Sequence, residues 1–174
     1  MATVALSTLN TMPVDEAVAL LGGVFEHSPW IVAETWTEAP FASVEDLHRA
    51  LVTTMRAASV ERQTALIRAH PDLVGRAARE GTLTRESTAE QRAAGLDPDS
   101  LTEADMVAFA EHNAAYQARF GFPFVICARE NRKASILAGF VARLPNDATT
   151  ERETALSEIA RIAWFRLHDL VLDG

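Results

Sequence analysis

An all-α fold is the first expectation, and three observations carry it. Apolar residues recur at three- and four-residue spacing from end to end, alternating strand patterns are missing, and no Asn-Gly or Asp-Gly pair joins two apolar runs. The predicted architecture is a single-domain helical bundle of about seven to nine helices, broken by one short extended segment, Phe122-Cys127. A chain of 174 residues with 48% hydrophobic content can bury one sizeable core. One domain over residues 1–174, with its core over about 13–170, is therefore expected.

The first helix is expected at Pro13, a favoured first-turn residue, with Asp15 and Glu16 at the positive end of the helix dipole. His27-Ser28-Pro29-Trp30 breaks it. Ser43 with Asp46 caps a second helix, whose Leu47, Ala50, Leu51, Thr54, Met55 and Ala58 form an apolar stripe. Ser59 can cap a third, running to about His70 because Pro71 disfavours helical geometry in the residue before it. Residues 71–84 read as a polar, glycine-punctuated loop with one helical turn around Val74 to Arg79. Ser87 and Glu90 have the spacing of a capping box, and Gly95 suits the end of that short helix. A longer helix follows from Thr102, carries Met106, Phe109, Asn113, Tyr116 and Phe120 on one side, and stops at Gly121. Phe122-Pro123-Phe124-Val125-Ile126-Cys127 is short, apolar and proline-bearing, and reads as an extended buried crossing. From Asn131 a helix presents Ile136, Leu137, Phe140, Val141 and Leu144 until Pro145-Asn146 ends it, and the last helix starts near Thr149 or Thr150.

Composition narrows the function. A net charge of -8 and a pI near 5.1 argue against nucleic acid as a partner, which needs clustered Lys and Arg to displace counterions. Lys133 is the only lysine, so arginine supplies nearly all the positive charge. The single cysteine, Cys127, cannot form an internal disulfide, and no CxxC or Cys/His cluster suggests a metal. No 18-residue apolar run and no secretory leader pattern occur, and the closing Leu-Asp-Gly is not a peroxisomal address. The expected setting is a reducing cytoplasm, with no membrane partner.

Several residues could carry chemistry. His70, at a helix end before Pro71, is held where an imidazole could give and take a proton near neutrality; a helix-terminal histidine offsetting the dipole is the structural alternative. His27 reads as a turn residue, and His48 and His168 as solvated helix-face residues. Ser87 and Glu90 are accounted for by a capping box alone, yet a helix start also attracts carboxylated or carbonyl-rich ligands, and Gln91 adds an amide that can both donate to and accept from a urea group. In the 122–127 stretch the backbone N–H and C=O groups need partners, which an amide-bearing planar ring, neighbouring side chains or water could supply. In the last helix Leu156, Ile159, Ile162, Ala163 and Leu170 line one face, and Arg166 falls among them. A guanidinium there suits a bidentate grip on a carboxylate, or an ion pair with an internal acid. Arg161 lies nearer the edge of that face and is the second candidate.

Taken together, these stretches resemble the 2-oxo-4-hydroxy-4-carboxy-5-ureidoimidazoline (OHCU) decarboxylases of urate degradation. The resemblance rests on His27-Ser28-Pro29-Trp30, His70-Pro71-Asp72-Leu73, Ser87-Thr88-Ala89-Glu90-Gln91 with Ala94-Gly95-Leu96, and Arg119-Phe120-Gly121-Phe122-Pro123-Phe124-Val125-Ile126-Cys127-Ala128. Arg143-Leu144-Pro145-Asn146 and Ile162-Ala163-Trp164-Phe165-Arg166-Leu167 follow in the same order. It implies an all-helical homodimer that acts without metal or organic cofactor on the unstable ureidoimidazoline released by 5-hydroxyisourate hydrolysis, giving (S)-allantoin. By motif position His70 matches the family's catalytic histidine, Glu90 its partner carboxylate, and Arg166 the arginine that closes the site. Pro71, Ser87, Gln91 and the backbone of Phe122, Phe124, Val125 and Ile126 match positions around the substrate ring. The bulky Trp164-Phe165 pair before Arg166 departs from the pattern and keeps Arg161 as the alternative.

Overall fold

A helix can end wherever its last carbonyls or first amides find other partners, and the computed structural model, which describes residues 3–173, shows where this chain does so. Among the described residues there are ten α-helices and one pair of two-residue strands, so the fold is all-α as expected. The chain packs as two compact units: one built from the chain up to Ala69 with the stretch from Ala160 onward, the other from His70–Ile159.

The first unit holds α1 (Leu6–Leu9), α2 (Val14–Leu21), α3 (Trp30–Thr35), α4 (Val44–Ala57), α5 (Val60–Ala69) and the end of α10 (Ala148–Leu170). Pro13 sits just outside α2 as its N-cap. The Ser43 hydroxyl accepts the Asp46 N–H at 3.0 Å, which satisfies one orphan donor of α4. Leu47, Leu51 and Met55 then fall on one fully buried face. The break at His27-Ser28-Pro29 is real, with His27 at φ 45, but Trp30 at once opens the short α3, and the Arg62 guanidinium lies 3.7 Å over its ring. Two short strands, β1 (Val4–Ala5) and β2 (Val171–Leu172), pair in parallel with Val4 opposite Val171. Two residues are too few for a period-two pattern, so the sequence carries no trace of them.

His48 departs from its reading as a solvated residue. Its Nε2 lies 2.8 Å from the Ala160 carbonyl and its ring meets Trp164 edge-on at 5.1 Å. Burial lowers its pKa, an effect the Ala160 hydrogen bond partly opposes. His168 is exposed, as expected.

The second unit holds α6 (Arg76–Glu80), α7 (Arg85–Ala93), α8 (Glu103–Phe120), α9 (Lys133–Arg143) and the start of α10. Thr102 and Asp105 form a reciprocal capping box at the head of α8, and Gly121 at φ 73 ends it in the left-handed conformation that glycine adopts without penalty. Residues 122–127 carry no helix, in agreement with the extended crossing. Phe109, Tyr116, Phe124 and Phe140 are almost wholly buried, and Phe124 stacks on Phe140 at 3.9 Å between ring centres.

One count and two boundaries differ from expectation. The count of ten exceeds seven to nine because α1 and α6 are single turns, too short to show a clear period. The last helix begins at Ala148, since Asp147 Oδ1 accepts the N–H groups of Thr149 and Thr150 at 2.9 Å each. At α7 the cap is Thr84, whose hydroxyl accepts the Ser87 N–H at 3.2 Å. Ser87 therefore sits inside the helix, and the Ser87–Glu90 capping box does not form there.

Candidate active site

With the cap at Thr84, the polar residues of α7 fall within the body of the helix. Ser87, Glu90 and Gln91 stand at i, i+3 and i+4, the spacing that places side chains on one helix face, and they are 4%, 6% and 5% exposed. Buried polar side chains need partners, and Gln91 has one in the Val74 N–H.

His70 follows the last residue of α5 and is itself buried, while Pro71 is half-buried. The loop it opens is held unusually tightly. Gln117 Nε2 donates to Asp72 Oδ1 at 2.7 Å, Asn113 Nδ2 donates to the Leu73 carbonyl at 2.9 Å, and the Val74 N–H donates to Gln91 Oε1 at 3.1 Å. Val74 sits at φ 55, a conformation that costs a β-branched residue on the order of 1–3 kcal/mol. Such strain survives only where surrounding bonds over-determine it. Here α7 and α8 do so, and the consequence is a fixed path from His70 to the face of α7.

The extended segment reaches the same neighbourhood. The 3-10 turn Ala128–Glu130 that follows it packs against α7. Phe122 and Phe124 bury their rings around Tyr116, at 6.1 and 5.2 Å between ring centres, so their side chains belong to the core. Val125 is buried and Ile126 half-buried. The second unit thus gathers the His70-Pro71 loop, the Ser87–Gln91 face and the end of the 122–127 segment. Gln91 also lines a cleft of about 380 Å³ with Thr88, Arg92 and Leu96, whose lining includes none of the other expected site residues.

Arg166 belongs to the first unit. Its guanidinium is 3% exposed and donates through Nη1 to Glu26 Oε2 at 2.9 Å and to the Gly23 carbonyl at 3.1 Å. Glu26 is 2% exposed, so this is a fully buried ion pair and the internal acid foreseen as one alternative is present. Arg161 is exposed. Sequence reasoning passed over Glu26, although it directly precedes His27-Ser28-Pro29-Trp30. It also passed over Asn113 as a loop anchor, because an asparagine on an apolar helix face reads as an interruption and not as a partner.

Among the described residues no group of three or more His, Cys, Asp or Glu side chains is gathered as metal ligands would be, and no helix is long and apolar enough to cross a membrane.

Comparison with known proteins shows the family. The family model described as OHCU decarboxylase matches residues 10–168. The 2-oxo-4-hydroxy-4-carboxy-5-ureidoimidazoline decarboxylase of Amia calva is 39% identical over 163 residues, covering 94% of this chain and 92% of that protein. The Xenopus laevis protein of the same name is 36% identical over 168 residues, covering 97% and 95%. Among solved structures, an (S)-allantoin synthase superposes with a TM-score of 0.78 at 26% identity, over 97% of this chain but 54% of that one. By the extent of the family match and the near full-length identity to these relatives, the chain belongs to the OHCU decarboxylase family.

Proposed function

We propose that this protein decarboxylates 2-oxo-4-hydroxy-4-carboxy-5-ureidoimidazoline to (S)-allantoin in urate degradation. The observation that carries the reading is a family match over residues 10–168 with relatives of that name aligned along nearly their whole length. A buried polar face of Ser87, Glu90 and Gln91 on α7, tied through Gln91 to the loop that His70 opens, supports it from the structural side.

The scissile carbon lies beside the ring imine at the ureido-bearing carbon, so the electron pair left when the carbon–carbon bond breaks and carbon dioxide departs can delocalise into the ring, and the ureido-bearing carbon takes up the proton. The substrate is its own electron sink, and we take the reaction to need neither metal nor organic cofactor. The protein's tasks are to orient the carboxylate and deliver a proton to one face. In this reading Glu90 pairs with and orients the His70 imidazole, and His70 assists breakdown at the hydroxyl-bearing carbon and supplies the proton. Arg166 anchors a substrate oxygen. Pro71, Ser87, Gln91 and the backbone of Phe122, Phe124, Val125 and Ile126 surround the ring and its ureido group. Proton delivery from a single group on one side makes the product one-handed. We further take the protein to work as a homodimer in a reducing cytoplasm, a setting that its single buried thiol suits.

The intermediate also decays unaided, to racemic allantoin, so rate and handedness are the signature. Circular dichroism should show rapid appearance of optically active allantoin when urate is supplied with uricase and 5-hydroxyisourate hydrolase. His70→Ala should return the slow racemic course, with kcat down by about 10²–10⁴, the usual worth of a positioned proton donor. A fully active His70→Ala protein would refute the assignment.

A further inference from the structure

The Arg143-Leu144-Pro145-Asn146 stretch has so far no part in the chemistry, yet it is tied to the backbone that does. Glu151, at 0% exposure, accepts from the Tyr116 hydroxyl, from Arg143 Nε at 2.8 Å and from Asn146 Nδ2 at 2.8 Å. Burial, reinforced by the bond to Glu151, keeps the Tyr116 hydroxyl protonated far above its ordinary range, so it remains a donor. With one edge of its guanidinium held on Glu151, Arg143 donates through Nη1 to the Val125 carbonyl at 2.7 Å and lies 4.3 Å over the Phe124 ring. Two residues on, the Cys127 N–H donates to Glu158 Oε2 at 2.8 Å. Among the described residues the N–H groups of Phe124, Val125 and Ile126 donate to no protein acceptor. A buried extended strand with its carbonyl clamped and its amides uncommitted is arranged to offer those amides to a ligand.

We propose that Arg143 is a positioning residue for the substrate: anchored by Tyr116 and by Glu151, which Asn146 holds in turn, it clamps the Val125 carbonyl and so presents the Phe124–Ile126 backbone to the carbonyl-rich ring. The inference rests on the function proposed above. Arginine is required because its planar fork bonds a carboxylate and a carbonyl at once, which a lysine ammonium on a flexible stem does not reproduce. Arg143→Lys keeps the charge opposite Glu151 and loses the clamp. It should raise KM about tenfold, the scale of one charge-assisted hydrogen bond, with kcat within about twofold. In the parent protein, (S)-allantoin should slow hydrogen exchange at the amides of residues 124–126, and Arg143→Lys should lose that protection.

An unchanged KM in Arg143→Lys, or a fall in kcat and melting temperature at constant KM, would mean a merely structural role and overturn the inference. So would exchange at 124–126 that ignores (S)-allantoin. Should Arg143→Lys fail to fold, Tyr116→Phe leaves the Arg143–Glu151 pair in place and removes one anchor; a rise in KM supports the inference and an unchanged KM overturns it. If the parent protein makes no optically active allantoin, the failure lies in the proposed function, and this inference falls with it.

Discussion

Glu26→Gln tests what the buried pair does for Arg166. Removing one partner of a buried ion pair costs about 3–5 kcal/mol, because the remaining charge is left uncompensated. Both members here are almost wholly buried, at 3% and 2% side-chain exposure. Glutamine keeps an acceptor oxygen, and the Gly23 carbonyl still takes one Arg166 N–H, so the lower end, about 3 kcal/mol, is expected. At about 2–4 °C per kcal/mol for a chain of this size, the melting temperature should fall by about 6–12 °C. Far-UV circular dichroism melts and urea unfolding with an unchanged m-value provide the measurement. Glu26→Gln combined with Arg166→Met removes both charges and should recover most of the loss, since replacing a whole buried pair is often neutral. A loss below about 1 kcal/mol in Glu26→Gln would refute the claim that the pair is desolvated and interdependent. Activity separates the two roles of Arg166: the double variant should be stable yet inactive if the guanidinium also holds substrate, and active if its work is structural alone.

Two further outcomes follow from the segment that carries Phe124. A methyl group added at Gly139 would sit 3.2 Å from Phe124 Cζ, so the ring must yield by a few tenths of an ångström. Gly139→Ala should therefore raise KM while the melting temperature changes little, as a helix-propensity gain of about 1 kcal/mol offsets the strain; an unchanged KM would show that the ring position does not matter for binding. Burial first, and the Glu130 charge second, push the Cys127 thiol up to about 11. The folded state thus favours the neutral thiol, and this contribution is complete below the ordinary value of 9.0 and is lost as pH rises through about 11. Iodoacetamide should label the native protein slowly at pH 9 and the urea-unfolded protein quickly; equal rates would show that the thiol is accessible.

The sequence by itself determined the helices whose signals are local. Ser43 before α4, Thr102 and Gly121 around α8, and the apolar run at 122–127 all read correctly, because caps, left-handed glycines and periodicity act within a few residues. It also determined the family, since the motifs survive in order along the chain. What it left undecided is where two readings share one local pattern. Ser87 with Glu90 has capping-box spacing, and only the structure shows that Thr84 is the cap and that the two polar side chains are buried. Arg166 on an apolar face demanded a partner, but Glu26 lies 140 residues away and no local rule could select it. Glu151 looks like an ordinary first-turn acid; its burial among Tyr116, Arg143 and Asn146 makes it the anchor of a distant loop. Charges and polar groups are assigned by desolvation, and desolvation is a property of packing that a linear chain does not possess until it folds.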